Sequence, residues 1–529
     1  MKPGIANSAW LAACLPEYVR FHRSLWRVDK AQSAVLELIL RRNRNTEFGQ
    51  QHRFSSIRDV DDFRKQVPLG NYESHSHFIQ RAACGVPNVL TKERICLFEP
   101  TGGSSGASKL IPYTRSLQHE FQRGIAVWIA DLFLHYRDLI GGKAFWSVSP
   151  FVGKHEETSG GIPIGFDDDL AYTGSWQQRF LQSVMAVPGD LCRVSDIELF
   201  RYRTLFYLLR LRDLRLISIW HPSYLTVLLS RLPEWSERLC HDIEHGARCP
   251  PDPRRATEVR RALKASAPQD QYQLLWPRLR LISCWKDANA AGPASALMRL
   301  FPGVHVQGKG LLATEAFMSL PLLRHAGSAL AVRSHFFEFL PDAGGPSLLA
   351  HQLEVGGRYS IVVTTSGGLY RYQMGDHIEV TGFIGHCPLI RFIGRSALVS
   401  DWVGEKLTEA HVSLVLQESF QTLGMSPVFA MLSCESAPGP HYVLFLESAD
   451  NDEIVSRAVA AIETGLRSNF YYDYARRLGQ LGPLAVLRLD NAAKKFERQA
   501  IRLGQRAGDI KPQALDGRNG WAEVLLHQD

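Results

Sequence analysis

The sequence has few lysines, no long apolar runs and only a small excess of positive over negative residues. Lysine accounts for 14 of the 529 residues against 46 arginines, so a lysine inside a glycine-rich segment is unusual here. No window holds ~18 consecutive apolar residues, which excludes a membrane-spanning helix. The formal net charge is only +7, and so small an excess on this length does not indicate nucleic-acid binding.

The sequence also lacks a cysteine framework. Nine cysteines are scattered without a C-x-x-C pair, and an odd number without paired spacing favours a reducing cytoplasm over secretion. The tetrapeptide ending at Cys14 resembles a lipoprotein cleavage box. However, the apolar stretch before it is short and its single positive flank is Lys2, so we do not interpret it as a membrane anchor, and the chain from Leu15 onward is expected to continue as a helix.

Short β-rich runs alternate with helical patterns over most of the chain, which is typical of an α/β architecture. An amphipathic helix or helix pair is expected over 15–45. The sequence predicts strands at 95–99, 144–152, 216–220, 279–285, 332–340 and 359–365.

After Arg395 the pattern changes to that of a compact α+β domain. It predicts helices at 406–423 and 451–468 and strands at 428–434, 441–447 and 484–488. We therefore expect two domains, covering residues 1–395 and 396–529.

The segment 101–109 combines three glycines with hydroxyl side chains and one lysine. Glycines let backbone N–H groups converge on an anion, and Ser104, Ser105 and Lys109 add further donors. This composition predicts a phosphate-binding loop, although the Walker spacing is absent. The same residues satisfy G-x-S-x-G, but a nucleophile elbow needs a helix directly after its serine and Pro112 follows too closely. A surface loop without function is the third interpretation.

Two more segments carry groups that could serve a nucleotide. Thr314 and Glu315 place a hydroxyl and a carboxylate at one turn, where they could hold a phosphate oxygen and its Mg²⁺. The nearby G-x-G-x-x-A pattern is not a dinucleotide fingerprint, because Pro321 interrupts the helix that such a unit requires. Asp376 follows Gly375 at an expected strand end and could accept two hydrogen bonds from a ribose, with a Gly-Asp hairpin turn as the alternative.

A lone lysine, Lys511, lies between glycines and a proline near the end of the chain. It could reach an anionic transition state as a point charge, and the alternative is an ordinary surface lysine. The H-x-x-E-H pattern at 241–245 suggests zinc, but it closes a helix without an evident third ligand, so we interpret it as a solvated helix end. The arginine-rich stretch 201–215 is interpreted as a helix with one buried face, not as an RNA-binding element.

Taken together and in order, these segments resemble the GH3 acyl acid–amido synthetases, a branch of the adenylate-forming (ANL) superfamily. The resemblance runs from about residue 35 to 525 and follows the bacterial members. It rests on the phosphate motif 101–109, the turn 313–315, the Phe-Glu-Phe-x-Pro strand 337–341, the Tyr-Arg-x-x-x-Gly-Asp motif 370–376 and the lysine loop 504–512.

The resemblance implies an α/β fold with a large N-terminal ANL-type adenylating domain of mixed β-sheets and flanking helices, followed by a smaller, mobile α+β domain. It implies that a carboxylate attacks the α-phosphate of Mg·ATP, giving an acyl adenylate and pyrophosphate, and that an amine then displaces AMP to form an amide. The alternatives are transfer to a thiol of coenzyme A or a carrier protein, and a non-catalytic nucleotide-binding relative.

The resemblance also assigns roles to individual residues. Lys511 and Glu315 would be catalytic, and Glu315 would also contact Mg²⁺. The residues expected to bind ATP are Ser104, Ser105, Gly106, Lys109, Ala313, Thr314, Glu315, Asp376 and Arg395.

The sequence also offers candidates for the acyl pocket. Trp220, His221, Ser223 and Trp285 follow predicted strands and are candidates for its wall. Their aromatic content favours an aryl or hydrophobic acid, and core packing explains it equally well. The expected partners are thus a small carboxylic acid and an amino acid or amine, without an obligate protein partner.

Overall fold

The computed structural model describes residues 2–101, 109–147, 156–165, 183–194, 196–395, 399–400, 402–403, 405–437, 439–477, 479–503, 505, 510 and 512–526. Within these residues, no helix is both long enough and apolar enough to cross a membrane.

The helices of the described chain run from 5 to 22 residues. They are α1 (Pro3–Ser24), α2 (Val28–Asn43), α3 (Glu47–Gln51), α4 (Val60–Gln66), α5 (Tyr72–Ala83), α6 (Arg115–His135), α7 (Ile197–Leu209), α8 (Pro222–Leu229), α9 (Leu232–His245), α10 (Pro253–Leu263), α11 (Pro268–Leu275), α12 (Ala291–Leu300), α13 (Glu409–Thr422), α14 (Asp452–Leu466), α15 (Phe470–Arg477), α16 (Ala492–Arg502) and α17 (Trp521–Leu526).

The strands form several separate sheets. They are β1 (Leu97–Thr101), β2 (Lys109–Tyr113), β3 (Lys143–Trp146), β4 (Glu156–Glu157), β5 (Pro163–Ile164), β6 (Leu214–Ser218), β7 (Leu281–Cys284), β8 (His305–Gly308), β9 (Ser319–Pro321), β10 (Ser328–Leu330), β11 (Phe336–Pro341), β12 (Leu348–Leu349), β13 (Arg358–Thr364), β14 (Tyr372–Ile384), β15 (Cys387–Arg395), β16 (Val399–Ser400), β17 (Leu407–Thr408), β18 (Phe429–Glu435), β19 (His441–Glu447), β20 (Gly482–Arg488) and β21 (Leu515–Asp516).

The chain divides into two compact units, and the first consists of Met1–Gly141, Gly153–Val184 and Lys309–Phe392. It contains a seven-stranded sheet of order β12-β11-β13-β14-β15-β10-β9 and a four-stranded sheet of order β2-β1-β5-β4. Phe48 on α3 stacks on Tyr370 with ring centroids 4.6 Å apart. The tyrosine of the third sequence motif is therefore a core residue of this unit.

The second unit consists of Gly142–Val152, Met185–Gly308 and Ile393–Asp529. One of its sheets is parallel, of order β3-β6-β7-β8, and another is mixed, of order β20-β19-β18-β21. Successive side chains of a strand point to opposite faces, and β19 buries both sets. Tyr442 and Leu444 join a core with α13 and α14, whereas Val443 and Phe445 join a core with α16 and α17.

These elements confirm the expected fold class, an α/β chain of mixed sheets and flanking helices with an α+β C-terminal part. The two helices and three strands predicted after residue 395 lie within a few residues of the expected bounds, and helices α15, α16 and α17 were not predicted. The opening segment is a helix pair, as one of the two interpretations had it, but the first helix begins at Pro3 and contains a buried Cys14. The division at 395/396 stays a prediction.

Candidate active site

The hairpin of β1 and β2 carries the glycine-rich motif of the first unit. The two strands pair antiparallel with Thr101 opposite Lys109, so the two ends of that motif are held across from each other. Tyr72 supports the outgoing end, because its hydroxyl accepts a 3.0 Å hydrogen bond from the Leu110 N–H. The Lys109 ammonium lies 5.5 Å from the centroid of the same tyrosine ring. Lys109 is thus placed by strand pairing and by a cation–π contact.

The second motif forms the tip of a tight hairpin. Leu312 and Phe317 form an antiparallel bridge, and Ala313 and Ala316 exchange backbone hydrogen bonds of 3.0 and 3.3 Å. Thr314 and Glu315 therefore lie at one turn, both partly buried.

One hydrogen bond joins this turn to the glycine-rich hairpin. The hydroxyl of Tyr113, the last residue of β2, donates to the carbonyl oxygen of Thr314. The turn of the second motif therefore contacts the base of the hairpin that carries the first motif, although about 200 residues separate the two in the sequence.

The loop that leads into the third motif approaches the same strand. The Thr114 hydroxyl donates to the Ser366 carbonyl at 3.3 Å, and a Cβ added to Gly367 would lie 2.8 Å from the Pro112 carbonyl oxygen. Only glycine allows this close approach. Thr114 also caps α6, accepting a 3.1 Å hydrogen bond from the Leu117 N–H, so one residue orders both the loop and the helix.

Asp376 lies inside a strand, not at a strand end or in a hairpin turn as the sequence suggested. The register of the β13–β14 pairing shifts here, because Val362 lies opposite Gln373 but Ser360 lies opposite His377. Two residues of β13 therefore span the same distance as four residues of β14. Gly375, with φ of 72°, provides the backbone conformation of this bulge, and bulges re-aim side chains. The Asp376 side chain is fully buried, so a ribose would reach it only after a neighbouring segment moved.

A buried ion pair connects two of the sequence motifs. The Arg371 guanidinium donates from Nε and Nη2 to the two Glu338 oxygens at 2.8 and 2.9 Å, in the bidentate geometry that makes such pairs strong. Glu338 also accepts a 3.0 Å hydrogen bond from Arg64, and Arg371 donates to the Val67 carbonyl at 2.8 Å. The Phe-Glu-Phe strand and the Tyr-Arg motif are thereby fixed to each other and to α4.

His75 holds the beginning of the third motif. Its Nε2 accepts a 3.3 Å hydrogen bond from the Tyr370 N–H, and its Nδ1 lies 2.9 Å from the Asn71 carbonyl. A ring nitrogen that accepts cannot carry a proton, so the ring is neutral, with its proton on Nδ1. Burial lowers the pKa of His75 below its ordinary value.

This histidine should make the folded state sensitive to acid. Above the ordinary histidine pKa the ring is neutral in both states, and below it the unfolded chain binds the proton first. Stability then falls by up to ~1.4 kcal/mol per pH unit until the folded ring titrates. In His75→Gln the amide oxygen can still accept from Tyr370. The free energies of unfolding of the wild type and of this variant, measured in urea, should therefore converge as the pH is lowered from 8 to 5.5. Curves that stay parallel would contradict this assignment.

In the second unit, two tryptophans meet where neighbouring parallel strands end. The backbone N–H of Trp285 donates to the backbone carbonyl of Trp220 at 2.8 Å, and the centroids of the two rings lie 5.6 Å apart. His221 caps α8, its Nδ1 accepting from the Ser223 N–H at 3.3 Å and lying 2.6 Å from the Ser223 hydroxyl. The four acyl-pocket candidates are thus close together.

Two of these four candidates line a cavity of about 440 Å³. His221 and Ser223 face it, together with residues of α12, α13 and α16, whereas Trp220 and Trp285 are not among its lining residues. Glu497 also lines the cavity, and both of its oxygens accept from Arg201 at 3.0 and 3.1 Å. Burial raises the pKa of Glu497 even though Arg201 opposes the change.

Several predicted site residues fall outside the described part of the chain. These are Ser104, Ser105, Gly106 and Lys511. Arg395 is the last residue of β15, and its side chain also lies outside that part.

Within the described residues, no three His, Cys, Asp or Glu side chains are placed to hold a metal ion together. The H-x-x-E-H pattern ends α9 at His245 before Gly246, and Glu244 pairs with Arg260 at 2.5 Å. A solvated helix end is therefore the better interpretation. Thr314 and Glu315 remain suitable for Mg²⁺, which typically takes one or two carboxylates and completes its shell with phosphates and water.

The sequence of this chain matches known domains over most of its length. The GH3 family N-terminal domain matches residues 18–306, the central domain residues 328–395 and the C-terminal domain residues 410–516. The first of these matches covers more than half of the chain. The chain belongs to the GH3 family.

Curated GH3 relatives align over most of both chains. Indole-3-acetic acid-amido synthetase GH3.15 of Arabidopsis thaliana is 26% identical over 470 residues, covering 79% of this chain and 77% of that protein. Indole-3-acetic acid-amido synthetase GH3.8 of Oryza sativa subsp. indica is 25% identical, with 87% and 83% covered. The solved structure of AtGH3.15 acyl acid amido synthetase in complex with 2,4-DB has a TM-score of 0.85 at 21% identity, covering 97% and 95%, so this GH3 chain has the same fold.

Sequence reasoning missed several residues that order this GH3 site. Tyr72 and Tyr113 give no sequence signal that separates them from core tyrosines. Glu338 does give one, because a carboxylate within a run of buried strand residues must find a buried partner. Most cavity residues contributed by the C-terminal elements carry no local signal either, since only folding places them opposite His221. Ile510 and Pro512 differ, because they flank Lys511 in the lysine loop.

Proposed function

We propose that this GH3 protein is an ATP-dependent acyl acid amido synthetase, which adenylates a small carboxylic acid and transfers the acyl group to an amino acid or another amine. The observation that carries the proposal is that the hairpin of the first motif contacts both the second motif and the loop that leads into the third. Tyr113 ties the glycine-rich hairpin to the Thr314–Glu315 turn, and Thr114 ties it to the loop before Tyr370. Free cysteines at all nine positions favour the cytoplasm.

Adenylation joins two anions, the carboxylate and the α-phosphate of ATP, so repulsion is its main obstacle. Backbone N–H groups and Lys109 of the glycine-rich motif would hold the phosphates, and the resemblance assigns Asp376 and Arg395 to the ribose. Lys511 would neutralise the charge that develops between carboxylate and α-phosphate. Fixed donors of this kind usually contribute the largest share of catalysis.

We assign Mg²⁺ to the turn at Thr314 and Glu315. The carboxylate of Glu315 would hold the ion beside the phosphate oxygens, and the bound ion would supply electrostatic stabilisation of the phosphoryl charge. The hairpin that presents both side chains is closed by backbone hydrogen bonds, so the donors are ordered before the nucleotide arrives.

In the second half-reaction an amine displaces AMP from the acyl adenylate. We propose that the segment 396–529 is a mobile domain whose rotation withdraws Lys511 and admits the acceptor, as closing and opening domains do in other enzymes. Transfer to a thiol remains the alternative, and the chemical identity of the product separates the two.

The acyl or amine substrate is proposed to occupy the cavity beside α8. Its lining combines polar side chains, among them His221, Ser223 and Glu497, with apolar side chains such as Leu416, Phe420 and Phe496. Pockets with this mixture bind organic molecules through apolar contact and use a few polar groups for orientation. An aryl or hydrophobic acid suits such walls.

Filling this cavity should block substrate without affecting the nucleotide. Val227 on α8 lines the cavity, and Val227→Trp is expected to raise KM for the acid or the amine by ~10-fold or more, because it removes the space for the substrate. The KM for ATP should change less than ~2-fold, since Val227 belongs to the second unit and Lys109, Thr314, Glu315 and Asp376 belong to the first. Val355→Trp, at a valine that is 65% exposed, is the matched control, and equal effects of both variants would remove the cavity from the substrate path.

The decisive experiment is pyrophosphate exchange. The protein is incubated with Mg·ATP, labelled pyrophosphate and a panel of aryl and aliphatic acids, and the active acid is then tested with amino acids, amines and coenzyme A. Acid-dependent exchange, AMP release and an amide product support the proposal. Hydrolysis to ADP, or binding without exchange for every acid, would overturn it in favour of a non-catalytic relative.

A further inference from the structure

A buried carboxylate–histidine pair stands directly behind the Thr314–Glu315 turn. Glu120 on α6 and His335 before β11 are 4% and 0% exposed. Nδ1 of His335 lies 2.9 Å from the Glu120 carboxylate, and its Nε2 accepts a 2.9 Å hydrogen bond from the Phe317 N–H.

These contacts fix the tautomer of His335. Because the Phe317 N–H must donate, Nε2 carries a lone pair, so the proton is on Nδ1 and is donated to Glu120. If Nε2 also carried a proton, its N–H would point at the Phe317 N–H. The carboxylate therefore orients the ring in the same way as the carboxylate partners of catalytic and metal-binding histidines.

The group that His335 holds is the base of the hairpin whose tip is Thr314–Glu315. Phe317 pairs with Leu312 to close that hairpin. Its ring packs against α6 at Gly124, where an added Cβ would lie 2.2 Å from a ring carbon. Phe317 is thus held by its amide and by its ring, which leaves the turn little freedom to shift.

Glu120 reaches a second segment of the same site. Its carboxylate also accepts a 3.2 Å hydrogen bond from the Ser366 N–H, and Ser366 belongs to the loop that leads into Tyr370. One carboxylate therefore connects α6 with the turn of the second motif, through His335, and with the loop of the third motif directly.

We propose that Glu120 and His335 are positioning residues that set the placement of the Thr314–Glu315 turn, and so of the groups assigned to Mg²⁺ and the α-phosphate. The pair does not contact the nucleotide and acts through the backbone of Phe317 and Ser366. The catalytic part of this inference rests on the proposed adenylation activity, whereas the ordering of the turn does not.

Two amide substitutions separate the two hydrogen bonds of His335. Asn places an N–H near the position of Nδ1 and so keeps the bond to Glu120, but it does not reach Phe317. Gln places its oxygen near the position of Nε2 and so keeps an acceptor for Phe317. Losing the Phe317 bond should speed amide exchange in residues 312–318 by ~10-fold, the equivalent of one ordinary hydrogen bond.

In hydrogen exchange followed by mass spectrometry, His335→Asn should therefore show faster exchange in 312–318, and His335→Gln should remain near the wild type. In pyrophosphate exchange, His335→Asn should lower kcat by ~10-fold with an acid KM within ~2-fold, because misplaced transition-state contacts reduce kcat. His335→Gln should retain kcat within ~3-fold.

Equal rates of hydrogen exchange in 312–318 for the two variants would overturn the assignment of the Phe317 hydrogen bond. Faster hydrogen exchange in His335→Asn with an unchanged kcat would show a merely structural role and overturn the positioning role. A wild type that exchanges no pyrophosphate with any acid refutes the proposed function instead, and hydrogen exchange then decides by itself whether His335 orders the turn.

Discussion

Replacing Lys511 by alanine should slow acyl-adenylate formation by ~100-fold or more and leave the affinity for ATP within ~3-fold of the wild type. The reason is that the lysine is assigned to charge that develops during the attack of the carboxylate, not to the ground-state nucleotide. Single-turnover formation of the acyl adenylate and nucleotide titration measure the two effects separately. Lys511→Arg should rescue little, because a planar guanidinium does not replace a compact point charge.

The amide-forming step offers an internal control for this prediction. Supplied with a preformed acyl adenylate, Lys511→Ala should convert it to amide at close to the wild-type rate, since the lysine acts before this step. Lys264→Ala, at an exposed lysine after α10, should change neither half-reaction. Equal loss of ATP affinity would instead make Lys511 a ground-state ligand, and unchanged adenylation would remove it from the mechanism.

Neutralising Glu338 should destabilise the first unit by ~3–5 kcal/mol, the cost of leaving a buried charge without its partner. In Glu338→Gln the Arg371 guanidinium, 7% exposed, would keep its charge and lose the carboxylate that now receives two of its N–H groups. Native-state hydrogen exchange of β11, β13 and β14 measures the loss within this unit and avoids assuming that the whole chain unfolds in one step.

The same sheet supplies a matched control. Glu379 and Arg391 form a 2.6 Å ion pair in which the arginine is 43% exposed, and pairs of this kind contribute ~1 kcal/mol or less. Glu379→Gln should therefore have a small effect. Replacing both buried partners, as in Glu338→Leu with Arg371→Met, should cost less than Glu338→Gln alone. If Glu338→Gln and Glu379→Gln had the same small effect, the buried pair would not stabilise the sheet.

The regular elements were predictable where local pattern and burial agree. Strands β18 and β19 were expected at 428–434 and 441–447 and are observed at Phe429–Glu435 and His441–Glu447. Their alternating faces are both buried, and the Pro- and Gly-containing turn between them marks the ends. The strand predicted at 332–340 begins four residues later, at Phe336. Val332 lies in a turn in which the Ser334 N–H donates to the Ala331 carbonyl, and the two central residues of this turn are not typical of turns.

The site was predictable as a set of motifs but not as a set of contacts. Thr314 and Glu315 were expected at a turn and are found there. That Tyr113 would bond this turn, or that His335 would support it, depends on pairs of residues 201 and 18 apart in the sequence. No local periodicity reports such pairs. The placement of Asp376 in a bulge likewise depends on the register of β13, which Gly375 alone does not set.

The interleaved sequence of the two units has a consequence for biosynthesis. All seven strands of the first unit's larger sheet follow Lys309 in the sequence, and Met185–Gly308 of the second unit is translated before them. Domains generally fold as the ribosome releases them, starting from the N-terminus. Here more than 120 residues of the second unit emerge before the first unit is finished. Premature termination between 185 and 308 would therefore release a polypeptide in which neither unit is complete, with apolar strands left for chaperones to cover.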